Sequence, residues 1–107
     1  MTLGTYILDS AGEPVPCPDY DLYAAWRIEA DKRDGRRLGK YKSGDCLVST
    51  VFLGIDHQFD DGPPLLFETM IRRWKAWGRQ WRYTTRAEAL AGHAAVVAWV
   101  KGEGAMP

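Results

Sequence analysis

The sharpest alternation in the chain falls between residues 46 and 53, where Leu47, Ser49, Val51 and Leu53 interleave with Cys46, Val48, Thr50 and Phe52. A period of two puts these sets on opposite faces of a strand, and because both are largely apolar the run predicts a central strand covered on both sides. Residues 65–71 repeat the pattern, with Phe67, Thr69 and Ile71 opposed to Leu66, Glu68 and Met70, and predict an antiparallel neighbour. Glu68 must face solvent or meet a cation such as Arg82, because an unpaired buried carboxylate is costly. A tight hairpin follows at "KAWG", with Gly78 as turn residue and residues 80–84 as the return strand. Near the start, residues 5–9 read as a short strand. The prolines of "SAGEPVPCP" then exclude both helix and central strand and predict an extended loop.

Two segments carry helical periodicity. Asp19 caps the first, with Leu22, Trp26 and Ala30 on one face, Tyr23 beside them, and Arg27, Asp31 and Lys32 pointing away. Gly35 and Gly39 end it, and a loop is expected from about 34 to 44. The second is the Ala-rich "TTRAEALAGHAAVVAWV", where Thr85 and Glu88 form a capping box. Its expected inward face is Ala87, Leu90, Ala91, Ala94, Val97 and Ala98, with His93 at the margin. The order β-α-β-β-β-α predicts one α+β domain over residues 1–107, a small antiparallel sheet with two helices packed on it and frayed residues near 102–107.

Composition adds bounds. At 107 residues and 46% hydrophobic content, the chain can bury one core without metals or cross-links. There is no apolar run of membrane-spanning length and no signal-peptide pattern at the start, so a cytoplasmic protein that does not enter a membrane is expected. Cys17 and Cys46 are read as two reduced thiols, although spacing alone leaves a single disulfide open.

Net charge is zero, yet eleven of the fourteen Lys and Arg residues lie in two blocks. "KRDGRRLGKYK" includes Arg36 and Arg37; "RRWKAWGRQWR" interleaves Trp74, Trp77 and Trp81 with Arg72, Arg73, Lys75, Arg79 and Arg82. Indole rings among cations suit an acidic protein face, a nucleotide or single-stranded nucleic acid. The bland alternative is that the tryptophans cover the sheet while the cations keep it soluble. The first block would assist as a basic loop.

The loop "IDHQFDD" offers Asp56, His57 and Asp60 as oxygen and imidazole ligands for a divalent metal, with His93 and Glu68 available from elsewhere. Its spacing matches no metal signature, so the favoured reading is turn chemistry: Asp56 and Asp60 accept backbone hydrogen bonds while Phe59, Pro63 and Pro64 pin the loop to the core. No phosphate loop, Ser-His-Asp set or Cys-His signature is present, and no cofactor is expected.

The runs "VSTVFLGIDHQF", "GPPLLFETM" and "AEALAGHAAVV" together resemble a family of small bacteriophage and prophage proteins whose function is unassigned. The likeness spans residues 5–101 and departs at "RRWKAWGRQW", where a shorter and less basic turn would fit the family. The resemblance implies a phage accessory protein, non-enzymatic, that binds a host protein or protein complex. An inhibitor of a host defence system, of the anti-CRISPR or another anti-defence type, is the leading expectation. A nucleic-acid or nucleotide binder using the same basic residues comes second and a metal-dependent hydrolase third.

Overall fold

A computed structural model describes residues 4–73 and 76–107, for residues 73, 76 and 77 the backbone only. The elements run β1 (Tyr6–Leu8), β2 (Pro14–Pro16), α1 (Tyr20–Lys32), β3 (Arg37–Ser43), β4 (Cys46–Phe52), β5 (Phe67–Arg73), β6 (Ala76–Tyr83) and α2 (Arg86–Val100). The fold is α+β, with a two-stranded sheet β1-β2 and a four-stranded antiparallel sheet β3-β4-β5-β6. Two strands exceed the sequence expectation. The prolines of β2 are tolerated because its sheet has two strands only, so both are edges; the ends are tied by Cys17 N–H to Thr5 O and Asp9 N–H to Glu13 O.

The larger correction is β3, which replaces the loop expected over 34–44. Its sequence RLGKYKS looks like a loop because an edge strand keeps lysines on its solvent side. A bulge between Arg37 and Gly39 turns two successive residues inward: Leu38 packs in the Phe52 cluster, and Gly39 stands opposite Thr50. Arg37, Lys40 and Lys42 pair with Val51, Ser49 and Leu47 and so share the other face. Gly78 lies inside β6, not in a turn; Arg73 and Ala76 are paired, so the connection falls on 74 and 75, outside the described residues.

Both helices cover one face of this sheet. Val48, Ile71 and Cys46 pack with Val96, while Phe52, Phe67 and Leu66 pack with Ala89, Trp26, Leu38 and Tyr83. Trp26 meets Phe52 edge-on at 5.8 Å between centroids. Helix α1 is capped by Asp19, whose carboxylate accepts from the Asp21 and Leu22 N–H groups. It ends in a Schellman turn, with Asp34 at φ 55° and the Gly35 N–H on Ala30 O. Its inward residues are Tyr23, Trp26 and Ala30, whereas Leu22 points outward, 64% exposed.

Helix α2 starts at the Thr85–Glu88 capping box. Its inward face is Ala89, Gly92, His93, Val96, Val97 and Val100, so the phase is shifted from the expected one: Val97 packs on the core as expected, but Ala87, Leu90, Ala91 and Ala94 are exposed. Cys17 and Cys46 are free buried thiols. Among the described residues no helix is long and apolar enough to cross a membrane.

Candidate functional site: the open face of the sheet

The second face of the four-stranded sheet has no described helix on it, which overturns the expectation of a doubly covered β4. The register stacks its residues in rows. Arg37, Val51, Glu68 and Arg82 form one; Lys40, Ser49, Met70 and Gln80 the next; Lys42, Leu47 and Arg72 the third, with the backbone of Trp77 opposite Arg72. Leu47, Val51 and Met70 make an apolar floor, and with Arg37, Ser49, Glu68 and Arg72 they enclose a groove of about 260 Å³. Arg37, Lys40, Lys42, Arg72 and Arg82 surround that floor. Glu68 is the acidic residue among these rows, and Arg82 Nε donates to its Oε2 at 3.0 Å, the pairing considered from sequence. Cations from the two sequence blocks thus meet on one surface because β4 carries register from β3 to β5.

Arg37 is held in place from two sides. Its Nε donates to Asp34 Oδ2 at 2.8 Å and its Nη1 to Ser49 Oγ at 2.9 Å, which fixes the guanidinium over the groove. Lys40, Lys42 and Arg72 are exposed. Such an arrangement can receive carboxylates or phosphates, with an apolar strip able to desolvate part of the contact. Among the described residues no three His, Cys, Asp or Glu side chains come together as a metal site would need.

The sequence candidates separate by place. Arg72 and Arg37 line the groove, and Arg79 is exposed on β6. Arg36 is committed elsewhere: its Nε donates to Asp31 Oδ1 at 2.6 Å and its Nη1 to Phe52 O at 2.9 Å, so it closes α1 onto the end of β4. Trp81 faces the helices, edge-on to Trp99 with centroids 6.4 Å apart, and its Nε1 donates to Pro107 O. Trp74 and Lys75 lie outside the described residues, as do the side chains of Arg73 and Trp77. Sequence reasoning took Lys40 and Lys42 as part of an assisting basic loop and passed over Ser49, Leu47, Val51 and Met70 as a site. Lysines two apart on a segment pairing with Leu47, Ser49 and Val51 were the available signal.

The 56–61 loop is built by turn chemistry. Asp56 Oδ1 accepts from the Gln58 N–H at 2.7 Å and the Leu65 N–H at 2.9 Å, and the Asp60 N–H donates to Gln58 Oε1. The His57 N–H donates to Leu65 O. Asp60 enters the turn through its N–H and not, as expected, through its carboxylate, and Phe59 does not pin the loop: it is 69% exposed beside exposed Asp60 and Asp61.

Beneath α2 a buried polar chain crosses the covered face. Tyr83 Oη donates to Thr69 Oγ1 at 3.1 Å, Thr69 and Thr50 Oγ1 are 2.6 Å apart, and Thr50 Oγ1 is 2.7 Å from His93 Nδ1. Thr69 Oγ1 accepts from Tyr83 and has a second lone pair, so either threonine hydroxyl can donate to the other, and the role of His93 Nδ1 toward Thr50 follows the tautomer of the ring. Burial lowers the His93 pKa; burial also raises that of Tyr83, partly countered by the Thr69 hydrogen bond. Two glycines make room: a Cβ on Gly39 would come within 2.6 Å of His93 Nε2, and one on Gly92 would strike the Tyr83 hydroxyl. His93 therefore completes the core of α2 through Thr50.

No family model, curated protein or solved structure matches this chain.

Proposed function

We propose that this protein is a non-enzymatic binding protein that lays the open face of its four-stranded sheet on an acidic surface of a host protein. The observation that carries the reading is the convergence of Arg37, Lys40, Lys42, Arg72 and Arg82 around the apolar Leu47–Val51–Met70 strip. A mixed apolar and basic surface suits a protein partner, whose anchor side chains can be desolvated in the groove while acidic residues meet the rim. Helices cover the opposite face, so the sheet presents this surface on a rigid base. The likeness of the 48–70 segment to small phage proteins supplies the setting. In that setting the protein acts as an inhibitor of a host defence system, anti-CRISPR or another anti-defence type, by occupying its target.

Nucleic-acid binding is the second reading, favoured by exposed Lys40 and Lys42 standing two apart along one edge strand. Salt separates the two. Phosphate contacts release condensed counterions, so affinity for an oligonucleotide falls steeply with salt, whereas a groove anchor in a protein interface responds weakly. The test titrates purified protein, nuclease-treated, against the isolated host target and against single-stranded oligonucleotides at low and moderate salt. Arg72→Glu is expected to weaken target binding about ten-fold or more. Micromolar oligonucleotide binding that collapses with salt, and whose salt slope flattens in a Lys40→Ala/Lys42→Ala variant, would replace the protein-partner reading with the nucleic-acid one. A metal hydrolase on Asp56, His57 and Asp60 draws no support, since the Asp56 carboxylate already holds both ends of its loop.

A further inference from the structure

The loop between β4 and β5 is held by its own turns and by backbone bonds to residues 4 and 6, and it presents Phe59 to solvent. Asp56 Oδ1 clamps Gln58 and Leu65, and the Gln58 side chain lies so close over Gly62 that a Cβ there would come within 2.5 Å of its amide nitrogen. The result is a shaped tip bearing exposed Phe59, Asp60 and Asp61. A preshaped tip loses little conformational freedom on docking, and an aromatic beside two carboxylates is complementary to an apolar floor ringed by cations. The open sheet face of the same chain is such a floor, with Leu47, Val51 and Met70 between Arg37 and Arg72. The zero net charge removes the long-range repulsion that would keep two copies apart.

We propose that Phe59, flanked by Asp60 and Asp61, docks into the Leu47–Val51–Met70 groove of a second copy of the chain, so that copies associate loop to sheet. The contact rests on the open face being a docking surface and goes beyond that reading by naming a second occupant. The groove admits about one large side chain, so the association is weak and concentration-dependent, with its ion pairs screened by salt. Self-association and target binding then compete for one surface, and the protein releases its own groove on dilution.

Sedimentation velocity from micromolar to millimolar protein at low salt tests this. The expected result is a reversible rise in average mass that Phe59→Ser, Asp60→Asn/Asp61→Asn and Arg72→Glu each reduce about ten-fold or more in association constant. The decisive arm mixes two variants. Phe59→Ser keeps its groove and Arg72→Glu keeps its loop, so each is monomeric alone and the mixture forms a 1:1 complex. If Arg72→Glu does not fold, Met70→Glu takes its place as the groove-defective copy. A monomer at every concentration, association that survives Phe59→Ser, or association lost in Phe59→Ser but kept in both groove variants would overturn the proposal. Target binding kept in Phe59→Ser and lost in Arg72→Glu would uphold the open face as the working surface even where self-association fails.

Discussion

The two faces of the four-stranded sheet are made by the same strands and differ in what their polar groups do. On the covered face, Thr50, Thr69, Tyr83 and His93 spend their hydrogen bonds on one another, and among the described residues no buried side-chain polar atom lacks a partner. On the open face, Arg37 and Arg82 are anchored through Asp34, Ser49 and Glu68 but still line solvent, and Lys40, Lys42 and Arg72 extend into it. Polarity inside is closed and structural; polarity outside faces solvent. Which face a residue occupies therefore says more about its role than its type does: Thr50 is core, and Leu47 and Val51 are surface.

The largest expected effects fall on the covered face. Phe52→Ala and Phe67→Ala should each cost about 3 to 5 kcal/mol, since both rings are fully buried and the cavity cannot fill, whereas Leu47→Ala on the same β4 should cost about 1 kcal/mol or less. Urea unfolding midpoints measure both. Comparable losses at Phe52 and Leu47 would mean that the open face is covered in solution.

Next come the closely packed positions under α2. Gly39→Ala should destabilise by about 1 to 3 kcal/mol, because its Cβ meets a ring wedged between β3 and the helix. Ala89→Leu, at a fully buried position, should cost a similar 1 to 3 kcal/mol through overpacking. Ala94→Leu and Ala95→Leu, both exposed, should each change stability by about 0.5 kcal/mol or less. A large loss at Ala94 alone would restore the helix phase expected from sequence.

That phase was hard to read for a physical reason. Alanine occupies nearly every side of α2, so the wheel offers little contrast, and Leu90, the largest residue on the expected face, is 43% exposed. The marks that do point inward are Gly92 and His93, a gap and a polar ring matched to Tyr83 and Thr50 across the sheet. By contrast β4 and β5 were legible to within two residues, because a period-two pattern needs no knowledge of what covers it. Which of their faces is open was not legible, since Leu47 and Val51 are as apolar as Val48 and Phe52. The site shared this fate. Its cations stand out in composition, but only strand register shows that Lys40 and Lys42 belong with Arg72 and that Arg36 and Trp81 point elsewhere.

The smallest expected effect is a pH dependence confined to the covered face. The folded His93 pKa lies below its ordinary value because burial disfavours the imidazolium, so the unfolded chain binds the proton more readily. Stability tied to His93 is therefore fully present above an unfolded pKa of about 6.5 and declines as pH falls below it toward the folded pKa. Protonation puts a hydrogen on Nδ1, so Thr50 then accepts from the ring and donates to Thr69, whose oxygen can accept from Tyr83 as well; the cost lies in burying the charge. The decline should be shallow, since the ring is only partly removed from water and solvent screens its charge. His93→Asn keeps an acceptor near the Nδ1 position and does not titrate, so its unfolding midpoint, followed from pH 8 to pH 5, should fall less steeply than that of the unsubstituted protein. Parallel curves, or a steeper fall in the variant, would show that acid sensitivity arises elsewhere.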